Sequence, residues 1–186
     1  GRNIEQVDWM DVALEGLAEG VMTGPTLGAI GANKVGSKIW QRYADGQSRV
    51  RQSELAVKTQ GAMVADALTS EMRKNDPEGF RDILAGSLYG TPAEMVYIPA
   101  AALDSLNQDG AINPLIESVE GMAAELALAR ETGGTVAIQN ADYLTYFAEH
   151  NDVLAPTIRS SVDAFSEEDA RVWTEEEEKR ISEMVA

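Results

Sequence analysis

The sequence predicts a mostly helical α+β fold in which a long N-terminal helix precedes a small two-stranded ribbon covered by helices. Between Ser37 and Asn75 there is no proline, and apolar residues recur at helical spacing through Ile39, Trp40, Tyr43, Val50, Leu55, Met63, Val64, Ala67, Leu68 and Met72. A V-x-I-x-x-A pattern then occurs twice, as Val96, Ile98 and Ala101 and as Val136, Ile138 and Ala141. Each copy reads as a short strand running into a helix. Strands this short do not survive alone, so the two are expected to pair and to present one apolar face to the same helices.

The elements follow in order. Residues 7–19 place Trp9, Val12, Leu14 and Leu17 loosely at helical spacing. Gly20 to Asn33 carries no charge and four glycines, the mark of a connector. Gly24 and Gly28 also have the spacing of a close helix contact, but fourteen residues interrupted by Pro25 are too few to span a bilayer. The long helix faces possible breaks at Gly46 or Gly61, each costing about 1 kcal/mol relative to Ala. Asp76-Pro77 starts the next helix, with Asp76 as acceptor for free N–H groups and Pro77 at the first helical position. Phe80, Ile83 and Leu84 are its expected buried stripe, and Tyr89-Gly-Thr-Pro92 ends it.

After the first strand, Met95 to Ile98, Pro99 leads into a helix from Ala100 to Leu106. Asn113-Pro114 starts another with Leu115, Val119, Met122 and Leu126 on one face, stopped by Gly133-Gly134. The second strand is Thr135 to Gln139, and Asn140 is placed to cap a helix whose apolar face is Leu144, Tyr146 and Phe147. Ser166 to Asp169 resembles a capping box and opens a last helix through Val172, Trp173, Ile181 and Met184. Glu175 to Glu178 point around that helix as a solvated surface. The domain reading is therefore residues 1–36 as Gly-rich connector and short helix, 37–75 as the long amphipathic helix, and 76–186 as a small α+β domain with an acidic C-terminal helix.

Charge is unevenly placed. The formal net charge is −16, yet Lys34, Lys38, Arg42, Arg49, Arg51 and Lys58 face only Asp45 and Glu54 between residues 34 and 58. From residue 83 to 158 the only base is Arg130, against ten acids. A nucleic-acid surface over the whole chain is excluded, because phosphate would be repelled from most of it. The basic stretch reads first as a solvated helix face and second as a weak contact to DNA or an anionic membrane. With no cysteine and one histidine, His150, thiolate and most imidazole chemistry is excluded too. The opening GRNIEQ has no charged-then-apolar leader, so no signal peptide is expected, and Gly1 reads as a cleavage scar on a piece of a longer polypeptide.

No constellation carries catalysis, a cofactor or a metal. Ser105 to Ile116 has Asn107, Asp109, Gly110 and Ile112 where a calcium loop would, but Ser105 and Ile116 replace the first and last ligands and Glu117 comes one residue late. Glu117-Ser118 superficially resembles the catalytic acid step of lytic transglycosylases, without the stretch that should follow. His150, beside Glu149 and Asp152, lacks a nucleophile and reads as a polar residue at a helix end.

Taken together, NDPEGFRDILAGS (75–87), MVYIPAAAL (95–103), residues 106–148 and IRSSVDAFSEEDA (158–170) resemble a region of very large tailed-phage and prophage proteins. These include internal virion, or DNA-ejection, proteins and polyvalent proteins that also carry transglycosylase or toxin domains. The resemblance covers roughly residues 55–170 and rests on structural motifs, so it transfers no catalytic residue. It implies a structural domain in the phage particle that meets other virion proteins or copies of itself and enters the host on ejection. Alternatively, it implies a module that positions a flanking transglycosylase or effector domain in the same chain.

Overall fold

The computed structural model describes residues 34–185; the expected connector and first helix, residues 1–33, lie outside them. The fold is mostly helical with a two-stranded antiparallel sheet. Helix α1 (Lys34–Thr69) runs through both Gly46 and Gly61 without a break. The interruption falls instead at Ser70, whose Oγ accepts from the Arg73 N–H and opens a separate short helix, α2 (Glu71–Asn75). A serine at an N-cap competes for the backbone more effectively than a helical glycine loosens it.

Asp76 then caps α3 (Pro77–Leu88) as its sequence implies, its Oδ1 accepting from Gly79 N–H at 3.0 Å. Phe80, Leu84 and Leu88 form the buried stripe, whereas Ile83 is 40% exposed. The i, i+4, i+8 row won over the adjacent position because only one narrow face of this helix meets the body.

Strand β1 (Met95–Pro99) pairs antiparallel with β2 (Thr135–Gln139). Val96 lies opposite Ile138 and Ile98 opposite Val136, so all four apolar side chains of the two V-x-I stretches face one side and are buried. Between the strands come α4 (Ala100–Leu106), α5 (Asn113–Ser118) and α6 (Met122–Thr132). The single helix expected from Asn113 to Gly133 is two, because Gly121 adopts φ +77° and turns the chain before Met122.

The ribbon's outer edges are both covered. Tyr97 exchanges two 3.0 Å backbone hydrogen bonds with Arg159, and the Glu125 carboxylate accepts from Ala137 N–H.

After β2 the chain stays helical but changes pitch: α7 (Asn140–Asp142), a π turn over Tyr143–Phe147, a 3₁₀ turn over Ala148–His150, α8 (Asn151–Leu154) and a 3₁₀ turn over Ala155–Thr157. Tyr143, Leu144, Phe147 and Leu154 are completely buried, the π turn packing on α1, α3 and α5 and α8 on α4. The last helix, α9 (Glu167–Val185), lies back along α1. One core joins the ribbon, α3 to α6, the composite run after β2, and Met63, Val64 and Ala67 of α1.

Candidate functional site

A helix repeats its direction every 3.6 residues, so Lys38, Arg42, Arg49, Ser53, Gln60, Met63 and Ala67 fall along one face of α1. The C-terminal half of that face is core; its N-terminal half is a cationic row beside α9. Two recesses follow the face and meet at Phe165. The first, about 510 Å³, lies between α1 residues such as Ala56 and Met63 and the opposite wall of Met95, Ile158 and Phe165. Among the described residues no charged side chain lines it. The second, about 450 Å³, is lined by Lys38, Arg42 and Arg49 with Asp45, Phe165 and Trp173.

At the floor of the uncharged recess sits Asn140. It is fully buried, and it is the first residue of α7 where the sequence suggests an N-cap. Its Oδ1 accepts from Gln60 Nε2 at 2.8 Å, while its Nδ2 donates to Gln60 Oε1 at 2.9 Å and to Ala93 O at 3.0 Å. This reciprocal amide pair ties α1 to the ribbon across eighty residues of sequence, and burial makes each bond costly to lose.

Two arginines brace the π turn. Arg73 Nε donates to Thr145 O at 2.9 Å, and Arg81 Nε donates to the buried Asp142 carboxylate at 2.6 Å. That hydrogen bond and the Asp142 charge hold the Arg81 guanidinium above its ordinary pKa. Burial pushes the Tyr143 phenol up, aided by the Asp152 charge, and its hydroxyl donates to Asn151 Oδ1 at 2.8 Å.

The cationic recess is walled on one side by an aromatic clip. Trp173 of α9 lies against Tyr43, ring centroids 5.9 Å apart, and against Phe165 at 6.5 Å. The Arg49 guanidinium sits 4.0 Å above the Phe165 ring and donates to Asp163 O. Gly46 makes this possible: a Cβ there would overlap the Trp173 indole. Below Trp173, Ser166 Oγ accepts from Asp169 N–H at 3.1 Å and Asp169 Oδ2 accepts from Ser166 N–H at 2.9 Å, the capping box the sequence implies.

Burial works to raise the Asp169 carboxyl, but the Ser166 hydrogen bonds and Arg159 outweigh it and hold it below the usual range. Its stabilisation is therefore present above the unfolded pKa of about 3.9 and lost as pH falls through the lower folded value. In an acid titration followed by amide exchange, the first turn of α9 should open below that range. Asp169→Asn should remove about 1 kcal/mol at neutral pH and flatten the dependence.

No protein-family model, curated protein or solved structure matches this chain.

The remaining sequence candidates separate. Of the six basic residues of the predicted patch, Lys38, Arg42 and Arg49 line one recess; Arg51 and Lys58 are exposed and lie outside it, on the opposite side of the helix. Lys34 opens α1.

In the calcium-like stretch, Asn107 Oδ1 accepts from Ile112 N–H at 2.9 Å and its Nδ2 donates to Asn113 Oδ1 at 2.8 Å. Asp109 and Gly110 both take positive φ to make the tight turn. Among the described residues, no group of three or more His, Cys, Asp or Glu side chains could hold a metal ion. Glu117 is exposed on α5, and His150 ends a 3₁₀ turn beside α8.

The acidic run is not uniformly solvated: Glu177 is buried, 8% exposed, and pairs with Arg180, while Glu175, Glu176 and Glu178 are exposed. Val172 and Ile181, expected on the apolar face, are 41% and 40% exposed. Sequence reasoning misses the roles of Gln60 and Phe165. Phe165 follows the Ser161-to-Ala164 turn, and nothing local ties it to a basic helix more than a hundred residues away.

Proposed function

We propose that this chain is a non-catalytic structural domain of a phage internal virion, or DNA-ejection, protein, packed among copies of itself or other virion proteins and released with the genome. Supporting this is what its buried polar groups do. Asn140, Asp142, Thr145 and Ser166 are all engaged in bonds that hold one element to another or cap a turn, and no buried side-chain nitrogen or oxygen among the described residues lacks a partner. Reactive centres keep such groups aimed at a substrate; here they brace the fold. The resemblance of its motif order to such phage proteins supplies the virion context. Among the described residues no helix is long and apolar enough to cross a membrane.

The purified chain should leave peptidoglycan, nucleic acid and nucleotides unhydrolysed. A hydrolytic rate abolished by a point substitution would contradict the reading. Coexpression with its neighbouring sequence separates the module alternative: ring or array formation is expected here, and a one-to-one interface within the same chain would favour the module.

A further inference from the structure

Every arginine C-terminal to α1, from Arg73 to Arg180, holds a carboxylate within ion-pair distance. Among the described residues none of the α1 arginines does, and neither does Lys38, although the chain has 31 acids to 15 bases. In so acidic a protein, internal pairing was available and three of these cations instead line an open recess. We propose that the recess between α1 and the Asp163–Trp173 segment takes the backbone of a single nucleic-acid strand, with Lys38 and Arg42 on neighbouring phosphates and Arg49 and Phe165 at its inner end.

Geometry selects the ligand. Lys38 and Arg42 are one helical turn apart, about 6 Å along the axis, and Arg49 lies about 10 Å further on. The row tracks a linear polyanion. Phe165 and Trp173 border it, with Arg49 over one Phe165 ring face, and add to the aromatics of the basic helix itself a half-buried ring edge against which a base can rest. A notch of about 450 Å³ admits a strand but not a duplex or a bilayer. Glu175, Glu176 and Glu178, exposed on α9 just past Trp173 but outside the recess lining, would repel an extended anionic surface.

Asp45 stands within the row and weakens it. Binding is therefore modest and salt-sensitive.

The test is fluorescence anisotropy of a labelled oligothymidylate with the intact chain between about 50 and 200 mM salt. Two phosphate contacts, from Lys38 and Arg42, predict a slope of log K against log salt of about −1.4. Lys38→Glu with Arg42→Glu should abolish binding, and Phe165→Ala should weaken it at unchanged salt slope. Asp45→Asn should tighten it by about threefold, a gain that a misfolded variant does not produce. Lys38, Arg42 and Asp45 are all exposed, so circular dichroism should show the fold unchanged in their variants. Three results would each overturn the proposal: no binding at the lowest salt, binding indifferent to the double charge reversal, or equal binding of duplex, polyglutamate or anionic vesicles.

Discussion

Asn140→Asp, an exchange of one NH2 for an oxygen, is expected to destabilise the native state by about 3–5 kcal/mol at neutral pH. The new oxygen would face two acceptors, Gln60 Oε1 and Ala93 O, in a fully buried site where none of the described residues around it is a cation. Asn140→Ala removes the same bonds without adding charge and should cost about 1–3 kcal/mol. The isosteric change is thus predicted to be the worse one. Burial would lift the introduced carboxyl above its usual pKa, so its neutral form is the one the folded state favours. Its penalty relative to the parent chain is then smallest below about pH 4 and grows as pH rises through the lifted value. Urea unfolding at neutral and acidic pH measures both effects. If Asn140→Asp left the chain as stable at neutral pH as Asn140→Ala does, the amide pair would not carry the junction between α1 and the ribbon.

Gly46→Ala should destabilise by about 1–3 kcal/mol, against the usual gain of about 1 kcal/mol for replacing a helical glycine. The added methyl would overlap the Trp173 indole and lift α9 from α1. In a Trp173→Ala background the clash is gone, so the same substitution should become stabilising. That sign reversal in a double-mutant cycle isolates the contact. A stabilising Gly46→Ala in the parent chain would mean that α9 does not pack where Gly46 leaves room.

Much of the fold was legible because its signals are local. Asp76-Pro77, Ser166 to Asp169, and the alternation at Val96 and Ile98 each act within a few residues, and each element formed as read. The misreadings share a different cause. Gly46 looks like a helix breaker until its partner across the fold, Trp173, is known, and Asn140 looks like a cap until Gln60 is brought to it. Glu177 looks solvated among four acids until α9 is laid down. The break at Gly121 was local yet outvoted by an apolar row that crosses it at Val119, Met122 and Leu126, all three buried as that row required. For the candidate site, the sequence supplied the cations of α1 and omitted the Phe165 and Trp173 walls, which only tertiary structure adds.

The pairing of the two strands supports everything packed on them, and cysteine cross-linking tests it directly in a chain that has no cysteine of its own. Met95 lies opposite Gln139 in the antiparallel register, at a non-hydrogen-bonded position where facing Cα atoms are about 4.5 Å apart and within disulfide reach. Met95→Cys with Gln139→Cys should oxidise readily to an intramolecular disulfide, and Met95→Cys with Thr135→Cys should not. Efficient closure of the second pair and failure of the first would place the repeated strands parallel and contradict the fold described.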